Sequence, residues 1–344
     1  MNYRSIADLS ADIRQWIPTL PRDIDCVVAV PRSGLLAATH VALQLNLPLT
    51  TVDRFAQRAT LEGGRRCPPR PTFGELEHVL VVDDSVCSGD TLEDARTTIA
   101  AMDDPPAVSY GAVYATPAAT DCVDTYARVL TTPRIFEWNV LHHPSLSNWL
   151  VDLDGVLCRD PLPEENDDGP KYREFIETVR PRVAPTQPIG AIVTCRLERY
   201  RDKTEQWLAT HGIEYDRLVM MDYPSGKARR AAGKHAQYKA TVYSESSATL
   251  FIESNQTQAR RIARRSRKPV FCVNANCLFR PGYPTRVYDQ GRRTVRTLRS
   301  RPERYLREFV ANPIGFSRKA FDHLFRVWPI SFGPPTINEI LPTC

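Results

Sequence analysis

Two short runs of the chain place acidic side chains directly after apolar residues. The first is Val79–Thr91 (VLVVDDSVCSGDT), in which Asp83 and Asp84 follow four apolar residues. The second is WLVDLDGVL, in which Asp152 and Asp154 stand two positions apart. Ligands of open α/β sheets bind at the carboxyl ends of the strands, so both runs are candidate sites.

The first run offers two kinds of contact to one ligand. Two adjacent carboxylates suit a pair of vicinal hydroxyls, and a small polar loop that leads into a helix can turn backbone N–H groups toward a phosphate. The loop residues are Ser85, Val86, Cys87, Ser88, Gly89, Asp90 and Thr91. The run therefore predicts a hydroxyl site next to a phosphate site. The alternative is an ordinary strand-to-helix turn with surface acids.

A second loop, VPRSG, follows an earlier apolar run. Arg32 offers a planar guanidinium that binds diphosphate through two N–H groups, and Ser33 and Gly34 offer backbone donors. The motif alone is also typical of a helix start. Its position one strand before Asp83 and Asp84 favours a role in the same site.

Together these loops resemble those of the type I phosphoribosyltransferases. The resemblance implies that Asp83 and Asp84 hold the ribose hydroxyls of phosphoribosyl pyrophosphate (PRPP), that residues 85–91 hold its 5′-phosphate, and that residues 32–34 hold its pyrophosphate. It further implies Mg²⁺ as cofactor and a nucleobase-like acceptor. Ser88 stands where threonine is commoner, and Asp90 stands where a small residue is commoner, so we expect its carboxylate to point away from the phosphate.

Base recognition is less specific in the sequence. Phe136 and Trp138 follow the last strand of this half, in Arg134–Asn139, and are candidates for stacking on a flat base; the alternative is that they pack in the core. Family members close a mobile loop from the region of Asp53–Glu75, and in the orotate enzymes that loop carries lysines. This chain has none there, which disfavours orotate. Arg65 and Arg66 are candidate replacements or parts of a solvated loop.

The second run suits phosphoryl transfer, with one carboxylate as nucleophile and the other as acid and base. It resembles motif one of the haloacid dehalogenase-like (HAD) phosphatases, which implies that Asp152 attacks phosphorus and that Asp154 moves the protons of a phosphomonoester substrate, here a nucleotide. The resemblance assigns motif two to Thr194. Lys239 is our choice for motif three, ahead of Lys234 and Lys227. The implied Mg²⁺ ligands are Asp152, Asp154 through its backbone carbonyl, and Glu253, although a glutamate is unusual in motif four.

The elements around these runs predict an α/β fold with two doubly wound, Rossmann-like parallel-sheet domains. The two resemblances imply a phosphoribosyltransferase type I fold for the first domain and a HAD-like fold for the second. Apolar strands at 25–30, 78–82 and 109–115 alternate with helices at 33–45 and 91–102, and the pattern restarts near Asn148 with strands at 149–154, 189–194, 249–253 and 269–273 and helices at 198–211 and 256–266. The expected domains are 1–143, 147–280 and an Arg- and Pro-rich extension, 281–344.

The composition bears on where the protein is located and on the partners it can bind. No apolar run spans a bilayer and no signal peptide is evident, so we expect a cytoplasmic protein without a membrane partner. Nine cysteines without paired spacing indicate reduced thiols. The net charge is +5, and we interpret the arginine run at 286–309 as a solvated helix face rather than a nucleic-acid contact. A homo-oligomer stays open.

The two resemblances give two functional hypotheses. In the first, a bifunctional enzyme transfers phosphoribose to a base and then removes the 5′-phosphate of the product. In the second, the N-terminal half senses PRPP or a nucleotide and regulates the phosphatase without transferring anything.

Overall fold

The computed structural model describes residues 1–59 and 72–282. The chain divides into two compact units, Met1–Phe279 and Arg280–Cys344, and nearly all the described residues belong to the first. Arg65, Arg66 and the arginine run at 286–309 lie outside the described residues. Within those ranges, Cys87, Cys122, Cys158, Cys195, Cys272 and Cys277 are free thiols, and no helix is both long and apolar enough to cross a membrane.

The N-terminal half is organised around a five-stranded parallel sheet. The strands of this half, five of which form the sheet, are β1 (Asn2–Arg4), β2 (Cys26–Ala29), β3 (Leu49–Thr51), β4 (His78–Val86), β5 (Ala107–Ala115), β6 (Thr125–Val129) and β7 (Arg134–Phe136). Its helices are α1 (Ile6–Trp16), α2 (Gly34–Leu45), α3 (Val52–Ala56) and α4 (Asp90–Ala100). The order across the sheet is β3-β2-β4-β5-β6, and β1 and β7 form a separate parallel pair.

The C-terminal half contains a six-stranded sheet. Its strands are β8 (Trp149–Val151), β9 (Ala191–Leu197), β10 (Leu218–Met221), β11 (Leu250–Glu253), β12 (Val270–Cys272) and β13 (Cys277–Phe279). Its helices are α5 (Pro170–Thr178), α6 (Arg201–Thr210), α7 (Gly226–Ala232), α8 (His235–Glu245) and α9 (Gln256–Ser266). The order is β10-β9-β8-β11-β12-β13, and only β13 is antiparallel to its neighbour.

Both sheets are covered by helices on their two faces, which explains why their central strands are continuous apolar runs. Alternate residues of β2 and β4 enter separate cores. One core contains Val27, Ala29, Leu80 and Val82 together with residues of α1 and α2. The other contains Cys26, Val28, Val79 and Val81 together with residues of α4. The predicted α/β fold with parallel sheets is thereby confirmed.

The two halves also share packing. Ile135 of β7 and Val140 are buried in the same apolar core as Trp149 and Val151 of β8. The ring of Tyr3 in β1 lies 5.0 Å from the ring of Phe271 in β12. Two short 3₁₀ helices, Glu137–His142 and Pro144–Asn148, join the halves. The domain limits drawn from sequence remain a prediction, but the packing crosses the one at 143–147.

Replacing Gly190 with alanine tests this junction. A Cβ atom at Gly190 would lie 2.2 Å from the backbone carbonyl oxygen of Ser147, and backbone atoms cannot move aside as a flexible side chain can. We expect Gly190→Ala to lower the free energy of unfolding by about 1–3 kcal/mol, measured by denaturant unfolding. Gly74→Ala is the matched control, because no atom lies within 4 Å of the added methyl group. Equal stability of the two variants would contradict the packing.

Candidate active sites

The acid pair of the first site lies on β4, just past the end of β2. β4 pairs with β2 only as far as Val82, opposite Ala29. On its other side it continues along β5 to Val86. The strand is therefore longer than predicted, because the nine residues of β5 supply pairing partners that the polar sequence after Val82 does not suggest. Asp83 and Asp84 consequently stand at the edge that β2 leaves open.

The two carboxylates are buried and have defined partners. The backbone N–H of Asp84 donates to Oδ1 of Asp83 at 2.8 Å, and Nε1 of Trp138 donates to Oδ2 of Asp84 at 2.8 Å. Burial, together with the neighbouring charge of Asp84, raises the pKa of Asp83 to about 8. Without a ligand, Asp83 is thus largely protonated at neutral pH.

The VPRSG loop is in direct contact with this pair. α2 begins at Gly34, and a Cβ atom there would lie 3.0 Å from Oδ1 of Asp83 and 3.0 Å from the carbonyl oxygen of Val82. A side chain there would press against these atoms, so glycine favours this close approach of the helix N-terminus to Asp83. Arg32 is exposed and Ser33 is half-buried at the mouth of the same loop.

Residues from other parts of the N-terminal half contact the predicted phosphate loop. The hydroxyl of Thr116 donates to the carbonyl oxygen of Cys87 at 3.0 Å. Gly89 has a φ of +97°, a conformation that favours glycine, and a side chain there would also meet Sγ of Cys122 at 2.8 Å. The loop runs directly into α4, so its backbone N–H groups lie next to a helix N-terminus.

Asp90 has a partner within this loop. Its Oδ2 accepts a hydrogen bond from the hydroxyl of Ser88 at 2.8 Å. The carboxylate is exposed at the first residue of α4, where acids complement the helix dipole. This contact accounts for an acid at a position where the sequence resemblance implies a small residue.

The two aromatic candidates for base binding differ in their surroundings. Phe136 is 4% exposed and stacks on Tyr114 and on Trp138, with ring centroids 5.3 and 4.8 Å apart. It packs as a core residue, which was the alternative interpretation. Trp138 is half-buried, and its indole N–H is committed to Asp84. The structure brings Trp138 to the acid pair, with Phe136 beneath it.

Arg134 is a site residue that the motifs did not single out. It is half-buried, and burial lowers its pKa although Cys87, Asp84 and Asp83 act in the opposite direction. Its Nη1 is buried without a hydrogen-bond partner in the described part of the chain. The only sequence signal was its place at the start of the segment considered for base binding.

The second site surrounds a cavity of about 230 Å³ in the C-terminal half. Asp152, Asp154, Thr194 and Lys239 all line it, so the structure assembles four of the predicted residues. The wall contains further polar groups that the motifs did not identify, among them Asp160, Arg229, His235 and Gln258. Glu253 does not line the cavity.

Lys239 joins the acids of two neighbouring strands. Its Nζ lies 2.7 Å from Oδ2 of Asp152 and 2.7 Å from Oε2 of Glu253. Burial raises the pKa of Asp152 well above its usual range, Lys239 acts to lower it and Glu253 to raise it further. Burial alone would lower the pKa of Lys239, but the two carboxylates raise it instead. The alternatives for motif three, Lys234 and Lys227, are exposed.

Asp154 is held by a buried arginine. Nη2 of Arg196 donates to its Oδ1 at 2.7 Å, and Nε lies 3.2 Å from both oxygens. Arg196 is fully buried, and the Asp154 charge raises its pKa although burial opposes this. The backbone N–H of Arg196 also donates to Oγ1 of Thr194 at 3.1 Å. Arg196 thus orients both polar groups.

The predicted metal ligands do not converge. Within residues 1–59 and 72–282, no group of three or more His, Cys, Asp or Glu side chains is placed to hold a metal ion. Glu253 is fully buried, with Oε2 bound to Lys239 and Oε1 accepting the N–H groups of Ser254 and Asn255 at 3.0 and 2.9 Å. Because both oxygens of Glu253 are engaged in this way, Glu253 does not fit a Mg²⁺ ion shared with Asp152 and the backbone carbonyl of Asp154.

Comparison with known proteins places the first site in a family context. Residues 2–144 match the family model described as phosphoribosyl transferase domain. A xanthine-guanine phosphoribosyltransferase from Ruegeria sp. is 32% identical over 111 residues, which is 29% of this chain and 58% of that protein. One from Cereibacter sphaeroides is 31% identical over 122 residues, 33% of this chain and 68% of that protein.

A solved structure, the Helicobacter pylori xanthine-guanine-hypoxanthine phosphoribosyltransferase, is similar at 17% identity. It covers 40% of this chain and 92% of its own, with a TM-score of 0.30. The matches in sequence concern the N-terminal half, and the chain spans between 58% and 68% of the two relatives.

The raised pKa of Asp83 predicts a pH-dependent stability. The folded protein binds this proton more tightly than the unfolded chain, so the stabilisation is complete below the ordinary value of 3.8 and is lost as the pH rises to about 8. The slope is at most about 1.4 kcal/mol per pH unit. Asp83→Asn should flatten the decline of the melting temperature across this range, in thermal unfolding without ligand. The exposed-residue variant Asp94→Asn should leave it unchanged, and an unaltered slope in Asp83→Asn would contradict the assignment.

Proposed function

This chain belongs to the phosphoribosyl transferase domain family through residues 2–144, and on that premise we propose that it transfers the phosphoribosyl group of PRPP to a purine-like base. In this reaction the bond from ribose C1′ to pyrophosphate breaks, a bond from C1′ to a base nitrogen forms, and the base gives up one proton. Mg²⁺ enters with PRPP as the counter-ion of its pyrophosphate.

The observation that carries this proposal is the contact between Gly34 and Asp83. This contact brings the VPRSG loop, which contains N–H donors and Arg32, next to the acid pair. The pyrophosphate of one ligand can then bind to the loop while its ribose hydroxyls bind to the carboxylates. Residues 85–91, which run from the end of β4 into the first turn of α4, then meet the 5′-phosphate. The protein acts by positioning these groups and by stabilising charge on the leaving pyrophosphate.

Trp138 and Arg134 support the ribose site in this proposal. The indole N–H fixes the Asp84 carboxylate for hydrogen bonds from a hydroxyl. Arg134 adds positive charge close to Asp83, Asp84 and Cys87, and its unpartnered Nη1 offers a donor to the bound ligand. The purine-like acceptor follows the names of the similar proteins, and the absence of lysine from residues 53–75 agrees with it.

Release of pyrophosphate tests the transferase. The protein should release pyrophosphate from PRPP and Mg²⁺ with guanine, xanthine or hypoxanthine but not with orotate. Asp84→Asn removes the charge that accepts the ribose hydroxyl and should lower the rate by about 100-fold. Asp94→Asn, on the exposed face of α4, serves as control. Binding of PRPP without pyrophosphate release with any base would favour the sensor hypothesis.

For the C-terminal half we propose a HAD-like phosphatase that acts on a phosphomonoester, such as the nucleotide made by the first site. Its support is the contact between Lys239 and Asp152, which places a cation where a nucleophilic carboxylate and a phosphate would share it. Asp152 attacks phosphorus, the ester P–O bond breaks, and Asp154 gives the leaving oxygen a proton. Water activated by Asp154 then cleaves the aspartyl-phosphate and restores Asp152.

The charges around Asp152 agree with this role. A nucleophilic carboxylate must be ionised, and Lys239 is the group that acts against the rise in the pKa of Asp152 that burial causes. Thr194 and Arg229 line the same cavity and are available to the phosphate oxygens. Order matters in this scheme, because transfer at the first site makes the 5′-phosphomonoester that the second site consumes.

The shared core supports a second candidate, in which the N-terminal half binds PRPP or a nucleotide and regulates the phosphatase. Ile135 lies in β7 and Val140 in the 3₁₀ helix that follows it, and both are packed with residues of β8. A ligand that orders Trp138 would act on residues 135–140, which also pack with β8, the strand that Asp152 follows.

Replacing the proposed nucleophile separates the two activities. Asp152→Asn keeps the size of the side chain but removes its nucleophilic charge, so phosphate release from nucleoside 5′-monophosphates should fall by at least about 100-fold. Pyrophosphate release at the first site should stay unchanged in the same variant, which also controls for folding. Intact phosphate release by Asp152→Asn would end the phosphatase proposal.

A further inference from the structure

Glu253 ends β11 at the position where the HAD resemblance implies a metal ligand, yet each of its carboxylate oxygens already has a donor. Oε2 lies 2.7 Å from Nζ of Lys239. Oε1 accepts the backbone N–H groups of Ser254 and Asn255. The side chain has no exposed surface and is absent from the cavity wall. A cation in the cavity would have to displace Lys239 to reach it.

Lys239 needs this partner because its charge is buried. An ammonium group removed from water is costly unless carboxylates balance it. Asp152 contacts Nζ from the side of the cavity, and Glu253 contacts it from a side that solvent does not reach. Since Asp152 would form a covalent bond to phosphorus during turnover, Glu253 is the carboxylate that remains to hold Lys239 throughout.

We propose that Glu253 is a positioning residue that holds Lys239 against Asp152, and that it does not bind a divalent cation. The role of Lys239 in catalysis rests on the phosphatase function proposed above, but the arrangement of Glu253 and Lys239 does not. The backbone N–H groups at Oε1 fix the carboxylate, the carboxylate fixes Nζ, and Nζ lies where the attacking oxygen and a phosphate oxygen would both contact it.

The variant Glu253→Gln distinguishes the two roles. The amide keeps the size of the side chain and its acceptor for the backbone N–H groups, but loses the charge that holds Lys239. With a nucleoside monophosphate as substrate we expect kcat for phosphate release to fall at least tenfold, while the apparent activation constant for Mg²⁺ changes less than twofold. A metal ligand predicts the opposite, a rise of about 10–100-fold in the Mg²⁺ constant. Such a rise would overturn the proposal.

Two further variants complete the comparison. Glu253→Asp retains the charge but is one methylene shorter, so it should restore activity only in part and also leave the Mg²⁺ constant unchanged. Glu177→Gln is the matched control, because it removes the same charge from an exposed pair with Lys203. It should change neither kcat nor the Mg²⁺ constant, since exposed pairs contribute little.

A measurement on the unaltered chain removes the dependence on variant folding, which matters because breaking a buried ion pair strongly destabilises a fold. Crystals soaked in MnCl₂ would show by anomalous scattering where Mn²⁺ binds. A peak within about 2.5 Å of a Glu253 oxygen overturns the proposal. A peak elsewhere, or none, with Lys239 still on Glu253 supports it. If no phosphomonoester is hydrolysed, the phosphatase proposal fails while the Mn²⁺ position still decides the role of Glu253.

Discussion

The C-terminal site depends on the contacts of the buried Lys239 ammonium with the carboxylates of Asp152 and Glu253. The ammonium joins three elements, since Asp152 follows β8, Glu253 ends the neighbouring β11, and Lys239 comes from α8 above them. The carboxyl ends of neighbouring parallel strands lie at the same edge of the sheet, so the acid after β8 and the acid at the end of β11 face each other. Without a cation between them, at least one would have to be protonated. Lys239 acts against that effect on Asp152 at the edge of the cavity, although burial still raises the pKa of Asp152 above its usual range.

The N-terminal site buries an acid pair in a different way. In the described residues no lysine or arginine forms an ion pair with Asp83 or Asp84. Asp84 is bonded by the neutral indole N–H of Trp138, and Asp83 keeps its proton up to a pH of about 8. An acid pair that forms no ion pair within the described residues is suited to a ligand that arrives with hydroxyl donors and its own metal. The acids at the two sheet edges thus differ in their partners. Lys239 pairs with those of the C-terminal half, whereas Asp83 and Asp84 have no ion pair within the described residues.

The sequence predicted the parts of this structure that local patterns determine. Apolar runs before the acids identified β4, β8 and β11, because buried parallel strands are apolar on both faces. The three-residue strands β1 and β7 carry no periodicity and were missed. The Trp138 contact joins residues 54 positions apart, so no local signal reports it. Glu253 shows the limit most clearly, since its type suggested a metal ligand and only its neighbours reveal that Lys239 occupies it.

The strand β7 explains why the two sites are not independent in space. Alternation sends Ile135 into the core beneath β8, whereas Phe136 turns to Tyr114 and supports Trp138 on Asp84. The position of the Trp138 indole, which donates to Asp84, therefore depends on packing against the other sheet. Composition alone suggests a boundary at 143–147, but apolar side chains on either side of it occupy one core. Any ligand that tightens the Asp84 site acts on a segment whose opposite face contacts the strand of Asp152, and both proposed functions must operate within that constraint.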